Sequence, residues 1–131
     1  MRFLYAFIIC LVGFVRPASA EDIVRVGQHF FNLDVGGNTI TQVIAPATNT
    51  AGLYIRTASI SNGGLVTMLY ASATPPVTPR DMNTRTIFES AYLPSGNWSQ
   101  LQRSYFVPAG MGLWLGTLSP ATIIMTYDLL Q

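Results

Sequence analysis

The chain has 131 residues, half of them apolar and a tenth charged, with a formal net charge of +1. It contains no lysine, and its arginines are scattered without a run. A nucleic-acid surface needs clustered basic charge, and a membrane-surface helix needs a basic face, so both classes are disfavoured.

The first 20 residues have the layout of a secretory signal. Met1-Arg2 gives a short positive start, Phe3 to Val15 an apolar run, and Ala18-Ser19-Ala20 a small-residue cleavage site before Glu21-Asp22. About thirteen apolar residues are too few to span a bilayer, which argues against a retained anchor. Cys10 follows Ile9 where a lipoprotein signal would have a different setting. Cleavage after Ala20 would give a product of 111 residues, the 131 less these 20, with no membrane anchor. It would lose Arg2 and Arg16, leaving five arginines against six carboxylates and a net charge of −1. That length suits one domain with one core. The only cysteine leaves with the signal, so the exported domain must be held by its core alone. The expected location is secreted or periplasmic.

Residues 21–131 then read as a succession of short strands. Ile23 to Leu33 forms a first strand, with Val24, Val26 and Phe30 of one parity and Gly27 at a bulge. Asp34-Val-Gly-Gly-Asn38 predicts a hairpin turn into Thr39–Ala45, which stops at Pro46. Ala47 to Gly52 is a polar link without regular pattern. Leu53–Ile60 and Leu65–Tyr70 flank Ser61-Asn-Gly-Gly64 and give the best hairpin signal in the chain. Three prolines between Ala71 and Pro79 forbid a sheet interior there. Asp81 could cap a short helix over 81–92, but Thr84, Thr86, Ile87 and Phe88 favour a strand. Asn97 to Arg103 is a polar connection carrying one large ring, Trp98.

Tyr105–Gly116 holds two apolar runs around a Pro-Ala-Gly turn. With Pro108 second in the turn, the positive-φ residue would be Ala109. Either the turn is type I, then, or Gly110 lies one step beyond it. In the second run Gly112, Trp114 and Gly116 share one face, and Met111, Leu113 and Leu115 share the other. A glycine face of this kind lets another backbone or a ring approach closely. Ala121 to Leu129 alternates over nine residues, apolar on one side and mixed on the other. About eight strands in one domain is the cadence of an antiparallel β-sandwich of jelly-roll type.

The chemistry-bearing residues are sparse. His29 is the only histidine and has no nucleophile frame around it. With one histidine and no cysteine left, zinc and copper lack ligands, and Asp34 with Asn38 matches no calcium loop. No catalytic residue, metal or cofactor is therefore expected. Of the six carboxylates, Glu89 is the one close in sequence to the exposed-type rings Tyr92 and Trp98, which makes it the candidate acid for a two-carboxylate glycan hydrolase, with a solvated or arginine-paired carboxylate as the structural alternative. Tyr92, Trp98 and Tyr105 surround Pro94-Ser-Gly-Asn97, and rings beside Asn, Gln and Ser suit sugar stacking or protein contact. Arg56 on a strand completes the candidate binding set, with pairing to an acid as its structural alternative.

At the level of fold alone the chain looks like the small jelly-roll modules of secreted binding proteins and phage tail tips, an analogy that carries no activity. The expectation is an exported, non-enzymatic module that binds a carbohydrate or protein partner or assembles with itself. The alternatives are the two-carboxylate hydrolase and a tail- or fibre-type structural module.

Overall fold

A computed structural model describes residues 26–91 and 97–131. The predicted signal segment and Tyr92 lie outside the described residues. Nine strands are present: β1 (His29–Val35), β2 (Thr39–Ile44), β3 (Leu53–Asn62), β4 (Thr67–Ser72), β5 (Thr86–Ser90), β6 (Asn97–Gln100), β7 (Tyr105–Val107), β8 (Gly112–Thr117) and β9 (Ala121–Leu129). The only helical element among the described residues is one 3-10 turn at Pro46–Thr48.

The strands form two antiparallel sheets, one ordered β1-β9-β3-β6 and the other β2-β8-β4-β5. β7 also pairs with β3, over Leu53–Ile55, while β6 pairs with the Ser59–Asn62 end of the same strand. β6 and β7 are thus two halves of one interrupted strand, and nine strands fill eight positions. The pairs β1–β9, β2–β8, β3–β6/β7 and β4–β5 are the rungs of one long hairpin. Folding that hairpin over adds β3–β9 and β4–β8 and closes a jelly roll.

This topology corrects three local expectations. The glycine turns at 36–38 and 63–66 do not close hairpins, because β1 and β3 lie in one sheet and β2 and β4 in the other. Gly-Gly and Asn-Gly mark where the chain reverses, but they do not specify which strand it meets next. Asn97–Arg103 is not merely a connection, since its first four residues pair with β3 as an edge strand. The expected strand over 81–92 is confined among described residues to Thr86–Ser90, and Asp81 organises a turn rather than a helix cap.

The two inner faces meet in a core of Ile44, Leu53, Ile55, Ile60, Leu69, Val107, Leu113, Leu115, Ile123 and Met125. Each such side chain contributes roughly 1.5–3 kcal/mol when fully buried. Backbone groups at the crossovers leave the ladders and still need partners. Buried polar side chains supply them. At the end where β1 and β3 finish, Thr117 Oγ1 donates to the Gly36 carbonyl at 2.7 Å, and Asn62 Oδ1 accepts from the Gly64 N–H at 3.0 Å. Asn62 Nδ2 also donates to Ser90 Oγ at 2.9 Å, tying that crossover to β5.

At the opposite end the fully buried Asn49 serves the turn between β7 and β8. Its Nδ2 donates to the carbonyls of Pro108 (2.7 Å) and Met111 (2.9 Å). The Met111 N–H bonds the Pro108 carbonyl and Gly110 has φ +77°, so Pro108 is the first residue of this turn and Gly110 the third. That is a type II turn, with proline one position earlier than the sequence suggested.

Candidate functional site

The two outer faces of the sandwich are treated differently. On the β2-β8-β4-β5 sheet, Met68, Tyr70 and Trp114 point outward yet are buried, with Ile40 and Val66 packed around them. The 73–85 loop crosses over them. Tyr70 Oη donates to the Pro79 carbonyl at 3.0 Å and accepts from the Asp81 N–H at 2.8 Å. Burial pushes the Tyr70 hydroxyl above its usual value, so it remains a donor across neutral pH. The glycine face of β8 makes this possible: a Cβ on Gly116 would lie 2.1 Å from the Pro79 oxygen. Asp81 fixes the loop from within, accepting from the Val77 N–H (3.0 Å), the Asn83 N–H (2.9 Å) and Thr84 Oγ1 (2.9 Å). Those hydrogen bonds hold its carboxyl below the usual carboxylate range.

The outer face of the other sheet is covered at one end, where the Gly27 N–H donates to Thr126 Oγ1 and the Gln28 N–H to Asp128 Oδ1, and no loop among the described residues crosses the rest. Its side chains lie in rows set by strand register. One row runs Asn32, Ile124, Ser59, Gln100, and the next runs Asp34, Thr122, Ser61, Trp98. Phe30 opens a third row, beside Thr126 and Thr57. Phe30, Trp98 and Ile124 are 69%, 62% and 43% exposed; Phe30 and Ile124 are diagonal neighbours across β1 and β9, and Trp98 stands in the Asp34 row. In the row that ends at Trp98, Thr122 Oγ1 donates to Asp34 Oδ1 at 2.5 Å. Asp34, Ser61 and Thr122, with the neighbouring backbone of Asn62, Gly63 and Pro120, line a shallow depression of about 350 Å³.

Of the residues singled out from sequence, Arg56 and Trp98 share this face but stand at opposite ends of it. Arg56 is the extra residue of a bulge, since Ile55 pairs with Tyr127 and Thr57 with Thr126. A bulge re-aims a side chain, and this one brings Arg56 Nε to 2.6 Å from Asp128 Oδ2. The guanidinium also lies 4.8 Å from the centre of the Tyr54 ring, which in turn packs against Phe106. Arg56 is thus held by an internal ion pair. Ser61, which faces Trp98, is five residues further along β3, or about 17 Å at the rise of an antiparallel strand. Tyr105 is on the other side of the sheet: it pairs with Ile55, packs against the core, and has Arg85 5.5 Å from its ring centre. Tyr92 lies outside the described residues. His29 stacks on Tyr127 with ring centres 5.0 Å apart.

Asp128 also accepts from the Gln28 N–H at 2.7 Å, and that bond together with Arg56 holds its carboxyl below the usual range. A carboxylate with a depressed folded-state pKa contributes stability that is present above its unfolded value of about 3.9 and is lost as pH falls through the folded value. Thermal melts should therefore hold steady from pH 7 to about 4 and decline below that. Asp128→Asn should make the decline shallower; an unchanged acid limb would show that this carboxylate is not anchoring the β1 entry.

The described carboxylates do not form a close pair on the open face. Asp34 pairs with the strand position of Thr122, and Asp128 is six residues along β9, about 20 Å away at the usual rise. Glycosidase pairs stand about 5–9.5 Å apart. The residues that sequence reasoning passed over as a site are Asp34, Ser61 and Thr122. The alternation of β9 had put Thr122 on the mixed outward face, but the neighbours that complete the row come from β1, β3 and β6 and are set only by the jelly-roll pairing. Comparison with protein-family models, curated proteins and solved structures found no match for this chain.

Proposed function

We propose that this protein is an exported, non-enzymatic jelly-roll module that binds its partner through the outer face of the β1-β9-β3-β6 sheet. The observation that carries this reading is the asymmetry of the two outer faces. One is roofed by the chain's own 73–85 loop, with Tyr70 and Trp114 sealed beneath it. The other leaves Phe30, Ile124 and Trp98 exposed among Ser, Thr and Asn side chains. Large exposed apolar groups on one face of a small domain mark a contact surface. Strands β3 and β9 hold that face rigid through their long shared register, which suits a preformed binding surface.

The test is a Phe30→Asp, Ile124→Asp double variant. Its unfolding free energy should stay within about 0.5 kcal/mol per substitution, as at other surface positions. Self-association in sedimentation velocity, or retention on immobilised oligosaccharide or protein ligands, should be lost. Destabilisation by about 3 kcal/mol or more would show that the face is a packed structural layer. Unchanged association and retention would remove it as the binding surface.

A further inference from the structure

The row Asp34, Thr122, Ser61, Trp98 has a composition of its own, and we infer that it is a binding site for neutral carbohydrate. This inference rests on the binding-face reading above and assigns its occupant. Four strands contribute one side chain each, so the row crosses β1, β9, β3 and β6 at right angles to the strands. At the usual interstrand spacing it extends about 14 Å, the scale of a short oligosaccharide laid across the sheet.

The chemistry along the row changes in the order a sugar needs. Trp98 stands at one end, 62% exposed, and offers an indole. The apolar face of a pyranose, with its C–H groups, packs on such a ring, whose face carries negative charge density. Next come the hydroxyl of Ser61, which can donate and accept, and that of Thr122, which has given its one O–H to Asp34 and accepts. Asp34 closes the row and is an acceptor only when ionised. Thr122 already donates to one of its oxygens, which fixes the carboxylate and leaves the second to take a ligand hydroxyl. A fixed carboxylate accepting from vicinal hydroxyls forms charge-assisted hydrogen bonds, roughly twice as strong as neutral ones. The depression lined by Asp34, Ser61 and Thr122 supplies the space.

Charge selects the class. The only ionic group in the row is Asp34, and Arg56, the arginine that the described strands place on this face, is about 17 Å away and occupied by Asp128. An anionic glycan would meet repulsion from Asp34 with no cation in the row to offset it. The centre of a protein interface is depleted of charge and rich in apolar side chains, whereas this row sets three polar side chains, one of them a carboxylate, beside a single ring. The hydroxyl-rich inventory favours sugar.

The experiment is a printed array of neutral oligosaccharides, with sialylated and uronic-acid glycans alongside, probed with the full-length exported protein. The wild type should bind neutral glycans and leave the acidic ones. Trp98→Ala and Asp34→Asn should each weaken binding about tenfold or more, and Trp98→Tyr should retain most of it. Unchanged circular dichroism and thermal midpoint in the variants would assign the loss to the site. Binding of acidic glycans instead, no binding of any neutral glycan, or full binding by Trp98→Ala would overturn the inference. In that event the sedimentation result for the Phe30→Asp, Ile124→Asp variant, which involves no sugar, still decides whether the face binds a protein or a second copy.

Discussion

Gly116→Ala should lift the 73–85 loop from its sheet and destabilise the protein by about 3 kcal/mol or more. The added Cβ would sit 2.1 Å from the Pro79 carbonyl oxygen and 2.9 Å from the Tyr70 ring. Neither neighbour has room to give. The Pro79 oxygen is backbone held by the Tyr70 hydroxyl, and Tyr70 is fully buried. Overpacking of a tight site costs about 1–3 kcal/mol, and each hydrogen bond at the Tyr70 hydroxyl adds about 1 kcal/mol when lost. Because Trp114 is buried in one cluster with Tyr70 and donates to the Ser72 carbonyl where the loop begins, its fluorescence should also become accessible to acrylamide, measured in a Trp98→Phe background so that one indole reports. Gly36→Ala is the control, as a Cβ there meets nothing within 4 Å. A wild-type midpoint with Trp114 still shielded would mean the loop does not depend on that glycine.

The Gly116 contact was foreseeable from sequence in kind but not in identity. Gly112 and Gly116 alternating with Trp114 announce a face on which something must approach closely, and the alternation of β9 announces which of its residues point inward. Both are local periodicities, readable one strand at a time. What approaches Gly116, and which strands lie beside β9, are decided by pairings between residues 37 to 100 positions apart. Local patterns carry no record of those. Turn residues at 36–38 and 63–66 signal reversal equally well for a hairpin and for a crossover between sheets, so two crossovers read as hairpins.

β6 was missed for a related reason. Asn-Trp-Ser-Gln has no apolar alternation, because an edge strand over a half-open face draws its stability from backbone pairing with β3 rather than from burying its side chains. The candidate site divides along the same line. Trp98 was legible as a large ring in a polar context. Tyr105 looked equivalent in sequence but faces the core, since its register with Ile55 gives it the buried parity. Arg56 was legible as a pairing residue, and the bulge that delivers it to Asp128 was not. Asp34, Ser61 and Thr122 are ordinary strand-end residues until the fold places them in one row with Trp98.

Asn49→Leu should cost about 3 kcal/mol, because the site is fully buried and leucine, branched at Cγ like asparagine but larger, brings no donor and more volume. The sequence around it, Ala-Pro-Ala-Thr-Asn-Thr, looks like a featureless link. In the fold its side chain donates to two carbonyls, that of Pro108, which the turn also bonds through the Met111 N–H, and that of Met111. A buried polar group left without its partner costs about 1–3 kcal/mol, and the substitution takes the Asn49 donor from Met111 outright while leaving Pro108 with its turn bond. The backbone bond from the Gly110 N–H to the Asn49 carbonyl, at 2.7 Å, survives the change, so the turn should loosen rather than detach. Chemical denaturation gives the free energy, and faster amide exchange at Met111 would localise the damage. Asn49→Ala separates the effects: it removes the same donor without overpacking and should also destabilise by about 1 kcal/mol or more. Because this turn joins the end of the sandwich opposite the Asp34–Trp98 row, glycan retention by the folded Asn49→Leu protein should equal that of the wild type. A midpoint within about 0.5 kcal/mol of wild type would show that the two carbonyls find other donors and that Asn49 is dispensable.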